Sequence, residues 1–124
     1  MDNQEAKHDA GKLRPTLVPL QAIWDIAEVR RYGVKKYTDP ENWRRVSLER
    51  YRDALFRHLL AYLENPKGKD EESGIEHYKH LICNAAFICA LEKEDGKAEV
   101  LEQVNDIAED SIKKVEDILR YAEW

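Results

Sequence analysis

The sequence predicts an all-α protein, a helical bundle of four main helices that assembles with copies of itself. Three observations carry this reading. Apolar residues recur at helical spacing in four separate segments, and no window shows the strict alternation of a half-buried strand. The last segment keeps an alternating three- and four-residue repeat of the kind that packs helix against helix. With 124 residues, 43% of them apolar and 36% charged, the chain can build one hydrophobic core but not two ordinary domains.

The first helix, from about Pro19 to Tyr32, is traced by Leu17, Leu20, Ile23, Trp24 and Ala27, then Arg31 and Val34, with Gly33 placed to stop it. Ser47 caps the second, whose inner stripe is Leu48, Tyr51, Leu55, Leu59 and Tyr62. Asn65-Pro66 ends it, because the residue before a proline is pushed out of the α region. Ser73 caps the third. Ile75, Tyr78, Leu81, Ile82, Ala85, Ala86 and Ile88 run almost continuously there, so this helix is predicted to be buried on much of its circumference. The fourth, from about Ala98 to Tyr121, places Leu101, Val104, Ala108, Val115, Ile118 and Ala122 on one seam around Ser111. Between the first two helices, Gly33 to Arg45 is dense in turn formers, bases and aromatics, a composition suited to binding rather than spanning.

The polar start from Met1 to His8 has no apolar stretch behind a basic end, and the run Leu81 to Leu91 is too short and interrupted to span a bilayer. The expectation is a soluble, cytoplasmic protein without a membrane partner. Cys83 and Cys89 lie six positions apart on a predicted helix, turned about 240° from each other, so both are expected to be reduced and buried. The net charge of −5 hides an asymmetry: fourteen bases face ten acids through Lys69, and six face fifteen from Asp70 on. The acidic second half disfavours nucleic acid as a partner. A positive and a negative half on one domain suit a metal-bridged anion site, although two ordinary solvated faces give the same totals.

On the second helix Arg50, Asp53, Arg57, Ala61 and Glu64 share one face; on the third His77, His80 and Asn84 do. Antiparallel packing of the two brings Glu64 towards Asp70, Glu72 and His77, His58 towards His80, and Asp53 towards Asn84. Carboxylates converging in this way repel unless a cation lies among them, and oxygen donors favour Mg²⁺ or Mn²⁺. Asp53, Glu64, Asp70 and Glu72 are the candidate metal ligands, for two or three ions. The plainer reading is that Asp70, Glu71 and Glu72 complement the dipole at a helix N-terminus. His77 and His80 can serve as ligands, phosphate donors or a general base, or as structural hydrogen-bonders. A ferritin-like Glu-x-x-His pair is absent, since Glu76 stands four positions before His80, and His8-Asp9 lacks the upstream histidine of an HD phosphohydrolase.

Lys7-His-Asp9-Ala-Gly11-Lys12 at the N-terminus offers lysines that can fold over phosphates, or else forms a plain tail. It is followed by Tyr32-Gly33-Val-Lys35-Lys36-Tyr37 with Asn42-Trp43, then Arg57-His58-Leu, then Asp70-Glu-Glu72-Ser-Gly-Ile-Glu-His77-Tyr-Lys-His80, and Cys83-Asn84. In that order these motifs, spanning residues 7 to 91, resemble the phage-encoded dATP/dGTP diphosphohydrolase family, which is similar to the all-α MazG-type nucleoside triphosphate pyrophosphohydrolases. The resemblance implies a MazG-like tetrameric bundle over residues 1–96, with 97–124 packing on it or forming the assembly interface, a tetramer or a dimer. It implies metal-dependent cleavage of a purine deoxynucleoside triphosphate to monophosphate and pyrophosphate, in phages that replace adenine with 2-aminoadenine. The Glu-x-x-Glu and Glu-x-x-Asp pairs of the wider group are not spelled out; Asp25 with Glu28 has such a spacing.

The expected roles follow. Asp70, His77, Arg57 and Lys12 are catalytic, with water attacking the α-phosphorus and the leaving charge met by Lys12, Lys35, Lys36 and Arg57. Lys7, Asp9, Lys12, Lys35, Lys36, Tyr37, Asn42, Trp43, His58, His80 and Asn84 bind substrate. Tyr37 or Trp43 stacks on the purine, or is core, and Asn42 or Asn84 reads its edge. The competing class is a non-enzymatic oligomeric helical module that binds nucleotide or acts as an adaptor.

Overall fold

A computed structural model describes residues 6–122; the polar start over 1–5 and the last two residues of the predicted C-terminal segment, 123–124, lie outside the described residues. Among the described residues there are three α-helices, α1 (Leu20–Tyr37), α2 (Leu48–Glu64) and α3 (His77–Ala122), with short 3-10 turns at Pro15–Leu17 and Asn42–Arg45. Among the described residues there is no strand, only an isolated antiparallel bridge between Lys69 and Glu76. None of these helices is long and apolar enough to cross a membrane.

Gly33 does not stop α1, which runs one turn further to Tyr37 and closes on Thr38 in the left-handed region (φ 58°), whose N–H donates to the Val34 carbonyl at 2.8 Å. A single helical glycine costs about 1 kcal/mol relative to alanine, too little to end a helix that packs on its neighbours. Lys35 and Lys36 in its last turn complement the dipole. α2 begins and ends where the sequence predicts. Ser47 holds an extended N-cap backbone and its carbonyl accepts the Arg50 N–H at 3.2 Å, but its side chain makes no capping bond. Leu48, Tyr51, Leu55, Leu59 and Tyr62 are all buried or half-buried.

Ser73 is not a helix cap. Gly74 takes φ +71°, a left-handed backbone that interrupts any helix there, and α3 starts only at His77, whose N–H donates to the Gly68 carbonyl at 3.2 Å. The expected third and fourth helices are one helix of 46 residues, about 70 Å long at 1.5 Å per residue. The joining stretch Glu92-Lys-Glu-Asp-Gly-Lys97 is rich in good helix formers, and Gly96 alone does not break it.

The first part of α3 packs on both α1 and α2. Val29, Ile75 and Cys83 form the buried centre, with Ile26, Tyr32 and Phe87 around them. Tyr51 is buried too, and its hydroxyl donates to the Trp43 carbonyl at 2.7 Å, tying the 3-10 turn to α2. Both cysteines are free, but only Cys83 is buried, its thiol pushed up to about 11 by desolvation; Cys89 is exposed, because α3 turns that position away from the other two helices. Leu17 in the first 3-10 turn and Leu20, Ile23 and Trp24 on α1 remain exposed, as does every residue from Glu92 to Arg120.

Candidate active site

A cleft of about 850 Å³ opens between the C-terminal half of α1, the 39–46 segment, the middle of α2 and the first turns of α3. Charges of both signs line it. Arg30, Lys36, Arg45, Arg50 and Arg57 supply the bases, and Asp39, Asp53, Asp70 and Glu72 the acids. Several are already engaged: Lys36 pairs with Glu72 and Arg45 with Asp39, while Arg30 donates to the Pro40 carbonyl. The Lys36 ammonium, and after it the Tyr32 hydroxyl, hold the Glu72 carboxyl below the usual carboxylate range. Arg50 and Arg57 form no ion pair among the described residues, so they are the cations in the cleft left for an anion.

The loop before α3 is folded around Asp70. Its N–H donates to the Ile75 carbonyl at 2.8 Å, its carbonyl accepts the Gly74 N–H at 2.8 Å, and Oδ2 accepts the Ser73 N–H at 2.9 Å. Burial works against ionisation of this carboxyl, but the bonds from Ser73 and the nearby histidines outweigh it, and it stays below its ordinary value. Ser73 Oγ accepts the Ile75 N–H and lies 2.6 Å from His80 Nε2. His80 in turn stacks on His58, ring centroids 4.6 Å apart and nearly parallel, and meets Tyr32 edge-on. His58 Nδ1 faces His77 Nδ1 at 2.9 Å. Burial pushes His58 down to about 4, with His80 adding to the effect, and burial lowers His80 as well. Both rings are therefore neutral near pH 7. One ring nitrogen each of His58 and His77 and an Asp70 carboxylate oxygen lie within 4.8 Å of one another.

The predicted site residues divide. Lys36, Tyr37, Asn42, Trp43, Asp53, Arg57, His58, Asp70, Glu72, His80 and Asn84 all line the cleft. His77 does not line it but joins the cluster through His58. Glu64, the last residue of α2, is exposed and away from the cleft, as are Lys35 on α1 and Lys7, Asp9 and Lys12 on the N-terminal segment. The four carboxylates Asp53, Glu64, Asp70 and Glu72 do not gather at ligand distance among the described residues; two imidazoles and Asp70 do. Glu28 pairs with Lys79 and Asp25 accepts from Gln21, so that helical pair is committed elsewhere. Trp43 stacks on Phe87 at 5.0 Å and carries the Arg44 guanidinium over its ring, whereas Tyr37 is 54% exposed. Sequence reasoning missed Tyr32, which touches both Glu72 and His80, although its place beside Gly33 and one turn before Lys36 was a usable signal.

The cleft thus brings Arg50 and Arg57 together with Asp70, His58 and His80 in one lining. A family model described as "dATP/dGTP diphosphohydrolase, N-terminal" matches residues 2–101, and the chain belongs to that family. A "dATP/dGTP diphosphohydrolase" of Salmonella phage PMBT28 is 34% identical over 82 residues, 66% of this chain and 28% of the relative. The chain thus spans less than a third of that relative's length. No solved structure matches it.

Proposed function

We propose that this chain carries out metal-dependent hydrolysis of purine deoxynucleoside triphosphates, dATP and dGTP, to the monophosphate and pyrophosphate. The observation that carries it is one cleft lined both by Arg50 and Arg57, which form no ion pair among the described residues, and by Asp70 with His58 and His80, in a chain of this family. In this reading the triphosphate lies along the cleft with its β- and γ-oxygens on Arg57, Arg50 and Lys36, which meet the charge that develops as pyrophosphate leaves. Lys12 and Lys35 reach in from outside it. Tyr37 is the platform for the purine, since Trp43 already packs on Phe87, and Asn42 and Asn84 read the base edge. Asn84 is held for this by the bond from its Nδ2 to the His80 carbonyl at 3.0 Å.

Asp70 and His77 stand at the reacting end, where one takes the proton of the attacking water. The cofactor is Mg²⁺ or Mn²⁺, two or three ions; bound there, it supplies Lewis-acid polarisation and a lowered pKa for the attacking water. Asp53, Asp70 and Glu72 are the cleft carboxylates that would hold it, and the distance of Glu64 from the cleft removes support for that residue. The biological setting is remodelling of a phage nucleotide pool in the host cytoplasm, including supply of precursor for a 2-aminoadenine genome. Residues 1–96 form the MazG-like unit in this reading, and 97–124 drive assembly into a homodimer or homotetramer.

Incubating the protein with each dNTP and Mn²⁺ and resolving the products tests the activity. Pyrophosphate with dAMP or dGMP is the expected outcome. Release of orthophosphate overturns it, and binding without turnover favours the adaptor reading.

A further inference from the structure

We infer that His58, Asp70 and His77 form a resident site for one transition-metal cation of the Mn²⁺, Co²⁺ or Zn²⁺ class, built by the protein before nucleotide arrives. This rests on the proposed reading of the same cleft and revises it at one ion: His77 is here a ligand rather than the proton acceptor, and Asp53 and Glu72 serve only ions that arrive with nucleotide.

The three donors come from separate pieces of the chain: α2, the loop before α3, and the first residue of α3. Their ligand atoms nonetheless lie within 4.8 Å of one another. The two imidazole Nδ1 atoms are 2.9 Å apart. Metal–nitrogen bonds of about 2.0–2.1 Å place two cis nitrogens on one ion at about 3 Å from each other, which matches. Without a cation the same approach requires a proton between the rings, one Nδ1–H donating to the other, because two bare lone pairs would repel. A cation bound to both nitrogens lies off the line between them, so each ring turns its lone pair towards it as that proton is lost.

Two of the three donors, Asp70 and His58, are also held from behind, as working metal ligands are. Asp70 Oδ2 accepts the Ser73 N–H at 2.9 Å, which fixes the carboxylate. His58 is laid flat against His80, whose Nε2 is fixed on Ser73 Oγ. One serine thus braces both the carboxylate and the ring that backs His58. Two imidazole nitrogens and one carboxylate oxygen suit borderline transition metals and suit Mg²⁺ poorly, since Mg²⁺ prefers an all-oxygen shell. Three protein ligands leave coordination positions open, and two of the three residues line the cleft, so those positions face the space a phosphate would enter.

The test needs no nucleotide. Full-length protein stripped with EDTA is titrated with Co²⁺, followed by its visible d–d absorption and by calorimetry, with Mg²⁺ titrated in parallel. One Co²⁺ per chain, bound at least tenfold more tightly than Mg²⁺, is expected. His58→Gln and His77→Gln should each weaken Co²⁺ at least tenfold while helical circular dichroism is retained, and Asp53→Asn and Glu72→Gln should leave it within about twofold. Equal affinity for Co²⁺ and Mg²⁺, wild-type Co²⁺ binding by both His variants, or loss confined to the Asp53 and Glu72 variants overturns the site. Should either His variant fail to fold, the absorption of wild-type protein decides alone: bands at the energies of imidazole-ligated Co²⁺ support the site, and the spectrum of aqueous Co²⁺ overturns it. Because binding is read without substrate, failure of this site with turnover intact, and failure of turnover with the site intact, are separate results.

Discussion

His58 concentrates the electrostatics of the cleft in one side chain. It is neutral in the fold because burial pushes it down to about 4 from the ordinary 6.5. A group with a depressed folded value contributes stability that is present above the unfolded value and is lost as pH falls. In EDTA, the Tm of the wild type should therefore fall between pH 6.5 and 4 more steeply than that of His58→Gln; superimposable profiles would contradict the assignment. Arg57, unpaired in the cleft, should matter differently. Arg57→Ala is expected to slow dGTP turnover by roughly 10²-fold, the usual cost of losing one donor to developing charge. Arg52→Ala, which removes only a surface partner of Glu92, should leave the rate unchanged. Cys83 and Cys89 give a third contrast. One thiol per native chain should react quickly with a disulfide reagent, because Cys83 is buried with its thiol pushed up to about 11. Two fast thiols would mean that the centre of the bundle is open.

At the scale of elements, the loop that carries Asp70 depends on Gly74. No atom lies within 4 Å of the Cβ an alanine would add there, so Gly74→Ala tests backbone conformation alone. Its left-handed φ should cost about 1–2 kcal/mol, read as a lowered urea midpoint. Periodicity made α2 legible to within a residue, because its stripe and its Pro66 stop are both local signals. The end of α1 and the join within α3 were not legible from Gly33 and Gly96. One glycine shifts helix propensity by an amount that packing or neighbouring helix formers outweigh, and no sequence rule weighs those terms. Ser73 misled for a related reason: its hydroxyl is consumed by Ile75 and His80, partners known only once the loop is closed. Helical spacing put His77 and His80 on one face and His58 near them, but which two rings share a nitrogen contact depends on the register of α2 against α3.

For the whole molecule, what stands out is how little of α3 the rest of the chain covers. Leu101, Val104, Val115 and Ile118 are all more than half exposed, and they continue the seam read from the sequence. A seam of that period is expected to pair with another copy. Val115→Asp with Ile118→Asp should lower the mass measured by light scattering, and an unchanged mass would dissociate the tail from assembly. The cleft lies wholly in the part of the chain where α1 and α2 cover α3, so the chemistry is a separate question. Its most direct measurement is hydrolysis of dGTP with Mn²⁺ in ¹⁸O-water, with both products weighed by mass spectrometry. Attack at the α-phosphorus predicts one ¹⁸O in dGMP and none in pyrophosphate, and the signal should vanish in Asp70→Asn. Label in pyrophosphate or in orthophosphate, or full activity of that variant, would contradict the account.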